Sequence, residues 1–292
     1  MSVVRGLPRV FRDARAILGE SIVWSPGGDV LWCDITAGLL HRSPFAGADD
    51  GSADTVLSLP APLASFAPAT TGGFVASLGD RIVRADDSGE VTTLAPIEHV
   101  RDGLRLNEGK CDPFGRWITG SMNLTSDDPD GAIYSLADGD DAARVLVGGF
   151  GVANGFEWSL NDDEMYFTDT SVETIYRAPY SASGVLGPVS VFHAGESHDG
   201  LTIDAEGYLW GGIYGGGRVI RYAPDGTQDL VVDLPAPNIT SVAFGGPDMS
   251  TLFIASAREN LDEEQLVDHP LSGAIFAIDT STHGRPARTF GA

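Results

Sequence analysis

Short apolar segments recur along the whole chain, and each is bounded by Gly, Asp or Pro. They come in a repeated order: an apolar strand, a turn, a second strand rich in aromatic and β-branched residues, and then a third strand. Six copies can be aligned on equivalent residues that lie 41 to 47 positions apart; these are Trp24, Phe66, Cys111, Trp158, Ile203 and Phe244. A period in the forties with several strands in each copy is typical of β-propeller blades.

The repeat predicts an all-β fold, a six-bladed β-propeller with four-stranded antiparallel blades. Residues 10–12 precede the first copy and are predicted to join the last blade as an extra strand, which would close the sheet edge. Because the copies span nearly the whole chain, residues 1–292 are predicted to form a single domain. Helical periodicity is confined to a short polar stretch around residues 260–269.

Polar residues occupy one fixed position in most copies, four residues before the equivalent apolar residue. This position is held by Glu20, Pro62, Asn107, Asn154, Asp199 and Thr240. In a propeller the first strand of each blade lines the central channel, so residues of equal phase are expected at one end of it. Carboxylate and amide oxygens without sulfur or histidine suit a hard cation, Ca²⁺ above all, with Mg²⁺, Mn²⁺ or Zn²⁺ as alternatives.

Three of these polar residues also have a simpler interpretation. Asn154-Gly155 and Asp199-Gly200 are ordinary turn dipeptides, and Glu20 could be a solvated residue at a strand edge. The equal phase in four blades favours the metal site. Arg105 stands two residues before Asn107, so on a strand it faces the same way and could hold substrate oxygens; a surface ion pair is the alternative.

The acidic composition narrows the classes of partner. Asp and Glu number 41 against 18 Lys and Arg, giving a formal net charge of −23. Nucleic acids and anionic membranes require basic patches, so neither is expected as a partner. Cys33 and Cys111 lack zinc-ligand spacing and are predicted to be buried thiols in a reducing compartment. Without a recognisable leader or apolar span, the sequence predicts a cytoplasmic protein.

Five segments resemble the senescence marker protein/gluconolactonase (regucalcin-like) family: LGESIVW at 18–24, RLNEGKCD at 105–112, NGFEWS at 154–159, DGLTIDAEG at 199–207 and PAPNITSVAFGG at 235–246. Together they span essentially the full chain. The resemblance implies a six-bladed propeller that binds one divalent cation and hydrolyses sugar lactones. By motif it implies Glu20, Asn154 and Asp199 as metal ligands, with Asp199 also as the acid/base residue. It implies Arg105 and Asn107 as the residues that face the substrate.

The chain departs from the family pattern at several of these motifs. Ser21-Ile22 stands where the family usually has Gly-Pro, and His198 stands where it has Pro. Glu108 replaces the usual Asp after Asn107, so its longer arm could reshape the pocket or contact a different sugar hydroxyl. No glutamate follows Met122, where some members have a substrate contact. These departures bear on the choice of substrate rather than on the metal.

The sequence therefore predicts a metal-dependent hydrolase that opens a sugar lactone to the aldonic acid, with Asp199 moving the proton. Loops at residues 122–131 and 193–199 are expected to shape its pocket, and the protein is expected to be a monomer or a weak homo-oligomer. One alternative keeps the site but hydrolyses phosphotriesters or organophosphates. Another is a propeller that binds a metal or a protein partner without catalysis.

Overall fold

The computed structural model describes residues 3–46, 51–126 and 128–292. In chain order its strands are β1 (Val4–Arg12), β2 (Gly19–Trp24), β3 (Asp29–Asp34), β4 (Leu39–Pro44), β5 (Thr55–Ser58), β6 (Leu63–Pro68), β7 (Phe74–Leu78), β8 (Arg81–Ala85), β9 (Val91–Pro96), β10 (Leu104–Cys111), β11 (Trp117–Asn123), β12 (Gly131–Leu136), β13 (Arg144–Phe150), β14 (Ala153–Trp158), β15 (Glu164–Asp169), β16 (Thr174–Pro179), β17 (Ser190–Ala194), β18 (His198–Ile203), β19 (Leu209–Ile213), β20 (Arg218–Tyr222), β21 (Gln228–Asp233), β22 (Asn238–Gly245), β23 (Thr251–Ala257) and β24 (Ile275–Thr280).

These strands form six four-stranded sheets in which neighbours in the chain are neighbours in the sheet. The sheets are β2–β5, β6–β9, β10–β13, β14–β17, β18–β21, and β22–β24 completed by β1. The sixth sheet confirms the predicted closure, because β1 pairs antiparallel with β24 from Val4 opposite Thr280 to Arg12 opposite Ile275. The fold class is a six-bladed β-propeller, as the repeat predicts.

Two compact units make up the chain. One comprises Met1–Val56 with Asp199–Ala287, and the other comprises Leu57–His198 with Arg288–Ala292. Each has its own apolar core of aromatic and aliphatic side chains between successive sheets. In the first unit Trp210 of β19 meets Phe244 of β22 edge to face at 5.7 Å. The prediction of one domain stays a prediction.

Helix is scarce in the described residues. A 3₁₀ turn covers Thr170–Val172, and α1 covers Glu263–Asp268, where the sequence predicts a short polar helix. A capping box between Asp262 and Gln265 satisfies the first backbone donors of α1. Nowhere in the described part of the chain does a helix combine the length and the hydropathy that a bilayer span requires.

The first strand of several sheets carries a β-bulge at the position of the phased polar residues. Glu20 pairs with Cys33 and Val23 pairs with Leu31, so three residue steps in β2 match two in β3. The same extra residue occurs after Asn154 in β14, and also in β10 and β22. Bulges redirect side chains and are common beside functional sites. In these four strands the phased residue therefore coincides with the same backbone irregularity.

Candidate functional site

Two acidic side chains meet inside the first unit. Glu20 of β2 is 7% exposed and Asp199 of β18 is 4% exposed. Each offers a carboxylate oxygen, and these oxygens lie within 4.8 Å of each other. Oε2 of Glu20 also accepts a hydrogen bond from the backbone N–H of Ser21 at 2.9 Å. The structure thus brings together two residues that the family motif implies as ligands.

Strand β22 explains how these two residues come together, because β2 and β18 both pack against it. The backbone N–H of Ile22 donates to Oγ of Ser241 at 3.1 Å. On the other side, a Cβ built on Gly200 would lie 2.9 Å from both Cα of Ser241 and the carbonyl oxygen of Thr240. Gly200 is therefore required by the close approach of two strands, and Asp199-Gly200 is part of β18 rather than a turn.

The donor set of this pair fits a hard divalent cation. Both side chains offer only oxygen, and a carboxylate pair this close and this buried is mutually repulsive. A cation bound by both groups replaces that repulsion with attraction, and Ca²⁺ takes carboxylate oxygens at up to eight positions. Zn²⁺, Mn²⁺ and Mg²⁺ also bind carboxylates, so the two residues alone do not select among these ions.

Arg105 and Asn107 lie side by side in the second unit, on β10. Nη1 of Arg105 donates to Oδ1 of Asn107 at 2.9 Å and to the carbonyl oxygen of Leu106 at 2.8 Å. Nδ2 of Asn107 in turn contacts the carbonyl oxygen of Ala153 at 3.4 Å. The two predicted substrate residues therefore contact each other, and Asn107 also reaches the start of β14.

Asn154 is held in one orientation by a directed chain of hydrogen bonds. Its Nδ2 donates to Oγ1 of Thr170 at 3.2 Å, and that hydroxyl donates to the carbonyl oxygen of His198 at 2.7 Å. Because the amide nitrogen is engaged, Oδ1 is the atom of Asn154 that suits a metal. Gly155 follows with φ of +43°, within the bulge of β14 rather than in a hairpin turn.

Thr170 is a residue that the sequence did not single out. It follows β15 directly, and a threonine after a strand carries no signal of its own. His198 contacts Thr170 through its backbone carbonyl rather than through its side chain. Its buried ring packs edge-on against His193 with 5.9 Å between centroids.

Glu108 is buried in β10 beside Asn107. Its Oε1 accepts from the N–H of Gly109 at 3.1 Å. Burial raises the pKa of the Glu108 carboxyl to about 7, while the charge of Lys110 and the Gly109 hydrogen bond act in the opposite direction. Lys110 itself pairs with Glu157 of β14 at 3.3 Å between Nζ and Oε2. The role of Glu108 as a substrate contact stays a prediction.

The first of the two predicted loops is only partly described, since Asp127 lies outside the described residues. In the remainder, Oδ1 of Asn123 accepts from the backbone N–H groups of Thr125 and Ser126, at 3.0 and 3.2 Å. Asn123 therefore organises its own loop.

Tyr214 and Asn260 are two further polar residues that the sequence did not indicate. Tyr214 precedes the run Gly215-Gly216-Gly217, which the structure shows to be the β19–β20 turn. Nδ2 of Asn260 donates to the Tyr214 hydroxyl at 2.9 Å. Both residues belong to the unit that holds Glu20 and Asp199. A tyrosine beside a glycine-rich turn carries no sequence signal that separates it from a core residue.

Comparison with known proteins gives one family. The family model described as the SMP-30/Gluconolactonase/LRE-like region matches residues 18–258. The 6-deoxy-6-sulfogluconolactonase of Pseudomonas putida is 36% identical over 92% of this chain and 93% of its own length. The pentonolactonase XacC of Haloferax volcanii is 33% identical over 94% of each chain. The crystal structure of a calcium-binding protein, regucalcin, from Agrobacterium tumefaciens superposes with a TM-score of 0.91 at 29% identity, covering 99% of both chains. The chain belongs to the SMP-30/gluconolactonase/LRE-like family.

Proposed function

We propose that this protein is a metal-dependent hydrolase that opens a sugar lactone to the corresponding aldonic acid. The observation that carries the proposal is the buried carboxylate pair of Glu20 and Asp199, whose oxygens lie within 4.8 Å of each other. Support comes from the family and from two relatives that are named for lactone substrates. Asn154 is proposed as a third ligand on its motif and on the orientation of its amide oxygen.

The reaction needs a proton to move twice. Water adds to the lactone carbonyl carbon, and the bond between that carbon and the ring oxygen then breaks. Asp199 accepts the proton of the attacking water and returns it to the leaving ring oxygen, so that the product is the open hydroxy acid. A bound divalent cation supplies Lewis-acid stabilisation of the charge that develops on the carbonyl oxygen and lowers the pKa of nearby water.

Arg105 and Asn107 are proposed to orient the substrate. The guanidinium of Arg105 is a rigid donor that matches pairs of hydroxyl or carbonyl oxygens. Its 2.9 Å bond to Oδ1 of Asn107 holds the Asn107 amide beside the guanidinium, with Nδ2 on the side of the Ala153 carbonyl. Glu108 is proposed as an additional contact to a sugar hydroxyl. Burial raises the pKa of this carboxyl, which favours the protonated form that can donate a hydrogen bond.

A substrate panel tests the proposal. Pentono- and hexonolactones and an organophosphate, paraoxon, are offered to the Ca²⁺-loaded protein, and product formation is followed by acid release. We expect turnover of at least one lactone above the spontaneous rate and none of paraoxon. Asp199→Asn keeps the size of the side chain, and it is expected to lower kcat by about 100-fold or more. Asp225→Asn, at an exposed turn, is the matched control.

Turnover of paraoxon without lactone hydrolysis would replace the proposal with a phosphotriesterase on the same residues. Tight Ca²⁺ binding without turnover of any substrate would favour a non-catalytic binding protein. A normal kcat in Asp199→Asn would remove Asp199 from the mechanism.

A further inference from the structure

Tyr214 lies at the same end of its sheet as Asp199. It follows the last residue of β19, and β18, which carries Asp199, is the neighbouring strand of the same hairpin. The hairpin turn is closed at the opposite end, where the N–H of Asp204 donates to the carbonyl oxygen of Tyr208 at 3.0 Å. The end of β19 therefore returns to the start of β18, which brings Tyr214 back toward Asp199.

The charges of the acid pair act on the Tyr214 phenol. Burial raises the pKa of Tyr214 to about 12, and the negative charges of Glu259, Asp199 and Glu20 act in the same direction, against the hydrogen bond from Asn260. A phenol with this pKa stays protonated at neutral pH. Its hydroxyl can therefore donate a hydrogen bond there, but it cannot serve as a base.

Neighbouring residues fix the direction in which the hydroxyl donates. Nδ2 of Asn260 donates to the Tyr214 oxygen at 2.9 Å, which occupies one lone pair. In the described residues, the acceptor within range of the phenol hydrogen is the carbonyl oxygen of Glu259, at 3.5 Å. That separation is long for an O–H···O bond. The same carbonyl already accepts from Nδ2 of Asn238 at 2.8 Å. A better acceptor supplied by a ligand would take the phenol hydrogen.

We propose that Tyr214 positions the substrate by donating its hydroxyl hydrogen to an oxygen of the sugar lactone bound at Glu20 and Asp199. Asn260 orients the hydroxyl for this contact. The inference rests on the proposed function, since it names a further binding residue for the same substrate. A polyhydroxylated ligand suits this contact, because the phenol of Tyr214 combines an aromatic ring with a hydroxyl that Asn260 orients.

A purely structural role makes a different prediction. Residues 258–274 connect β23 to β24 and include α1, none of whose residues is buried. The bond between Asn260 and Tyr214 could simply fasten this segment. In that case its loss lowers the melting temperature and leaves substrate binding unchanged.

The test compares Tyr214→Phe, which removes one oxygen, with Tyr208→Phe at the opposite end of the hairpin. KM and kcat are measured for D-glucono-δ-lactone, or for the best lactone of the panel, with the protein loaded with Ca²⁺. Binding of D-glucitol, which cannot be hydrolysed, is measured by isothermal titration calorimetry. For Tyr214→Phe we expect KM and the glucitol Kd to rise about three- to tenfold, the effect of losing one neutral hydrogen bond. The kcat value and the Ca²⁺ affinity should stay unchanged, as should all values for Tyr208→Phe.

An unchanged KM and glucitol Kd in Tyr214→Phe would overturn the inference, and a lower melting temperature in the same variant would assign the residue to the structural role. A loss confined to kcat would also overturn it. If the wild-type protein hydrolyses no lactone, the proposed function fails. The binding of D-glucitol then tests the role of Tyr214 independently of hydrolysis. Glucitol binding that weakens in Tyr214→Phe retains Tyr214 as a polyol contact, whereas no binding to the wild type overturns that as well.

Discussion

Individual residues of the candidate site are oriented by neighbouring residues that carry no recognisable signal in the sequence. Asn154 stands out by its phase, but it is Thr170 that fixes which amide atom is available. The sequence pointed to Glu20, Asn107, Asn154 and Asp199 because a repeat makes equal phase visible. Thr170, Tyr214 and Asn260 have no counterpart in phase, and their contacts depend on how loops return to the sheets. The sequence therefore indicated candidate residues on the strands and gave no signal for residues on the connections between strands.

Thr170→Val should weaken metal binding while leaving Asn154 itself unchanged. Loss of the hydroxyl removes the acceptor at 3.2 Å from Nδ2, so the amide is free to rotate and its oxygen is no longer held in place. Loss of a group that orients a metal ligand typically lowers affinity by about tenfold or more. Calcium titration by calorimetry measures the effect.

Thr168→Val is the matched control for this variant. Thr168 lies opposite Asn154 on β15, and its buried hydroxyl has no hydrogen-bond partner among the described residues. The same replacement there should leave calcium affinity intact. Equal calcium affinities in the wild type, Thr170→Val and Thr168→Val would contradict the orienting role of Thr170. The calcium affinity of Asn154→Ala would then show whether Asn154 binds metal at all.

At the scale of elements, the sequence predicted the strands well and their irregularities poorly. The alternation of apolar residues and the turn glycines indicated the repeated strands, the short polar helix and the strand that closes the last blade. The bulges were not predicted, because one extra residue leaves the apolar pattern on either side intact. The dipeptides Asn154-Gly155 and Asp199-Gly200 consequently resembled turns. In the structure Gly155 supplies a positive φ, whereas Gly200 allows β22 to approach.

Ser21→Gly should stabilise the protein by about 1 kcal/mol, since Ser21 adopts a φ of +50° in the left-handed region that disfavours residues with a Cβ. Its hydroxyl is also buried without a hydrogen-bond partner in the described residues. The family resemblance implies Gly as the usual residue at this position. The left-handed backbone conformation gives a physical reason for that preference. Urea unfolding of the metal-free protein measures the change.

Ser25→Gly provides the comparison, because Ser25 is not among the described residues with positive φ and its Oγ accepts from the N–H of Asp29 at 3.2 Å. That variant should lose stability, through lost hydrogen bonding and greater freedom of the unfolded chain. Destabilisation by Ser21→Gly of the same size as by Ser25→Gly would show that the bulge of β2 imposes no strain.

Across the whole molecule, the repeat and the excess of acidic residues are the two features that the sequence shows most directly. Six copies predicted six sheets, and the family comparisons agree over nearly the full chain. The net charge of −23 argued against nucleic acids and anionic membranes as partners, but it did not indicate which carboxylates belong to a site. Two carboxylates, those of Glu20 and Asp199, were distinguishable by their equal position in the repeat. The first unit buries these two side chains close to each other. Composition and period do not encode which sugar lactone would bind.

The most direct test of the proposed function is lactone hydrolysis by the same protein before and after metal removal. The protein is treated with a chelator and dialysed, and the initial rate of acid release from D-glucono-δ-lactone, or from the best lactone of the panel, is measured above the spontaneous rate. Ca²⁺, Mn²⁺ or Zn²⁺ is then added back to the wild type and to Asp199→Ala. We predict no enzymatic rate without metal, recovery in the wild type with at least one of the three ions, and no recovery in Asp199→Ala. Full activity in the metal-free protein, or unchanged activity in Asp199→Ala, would contradict the proposal.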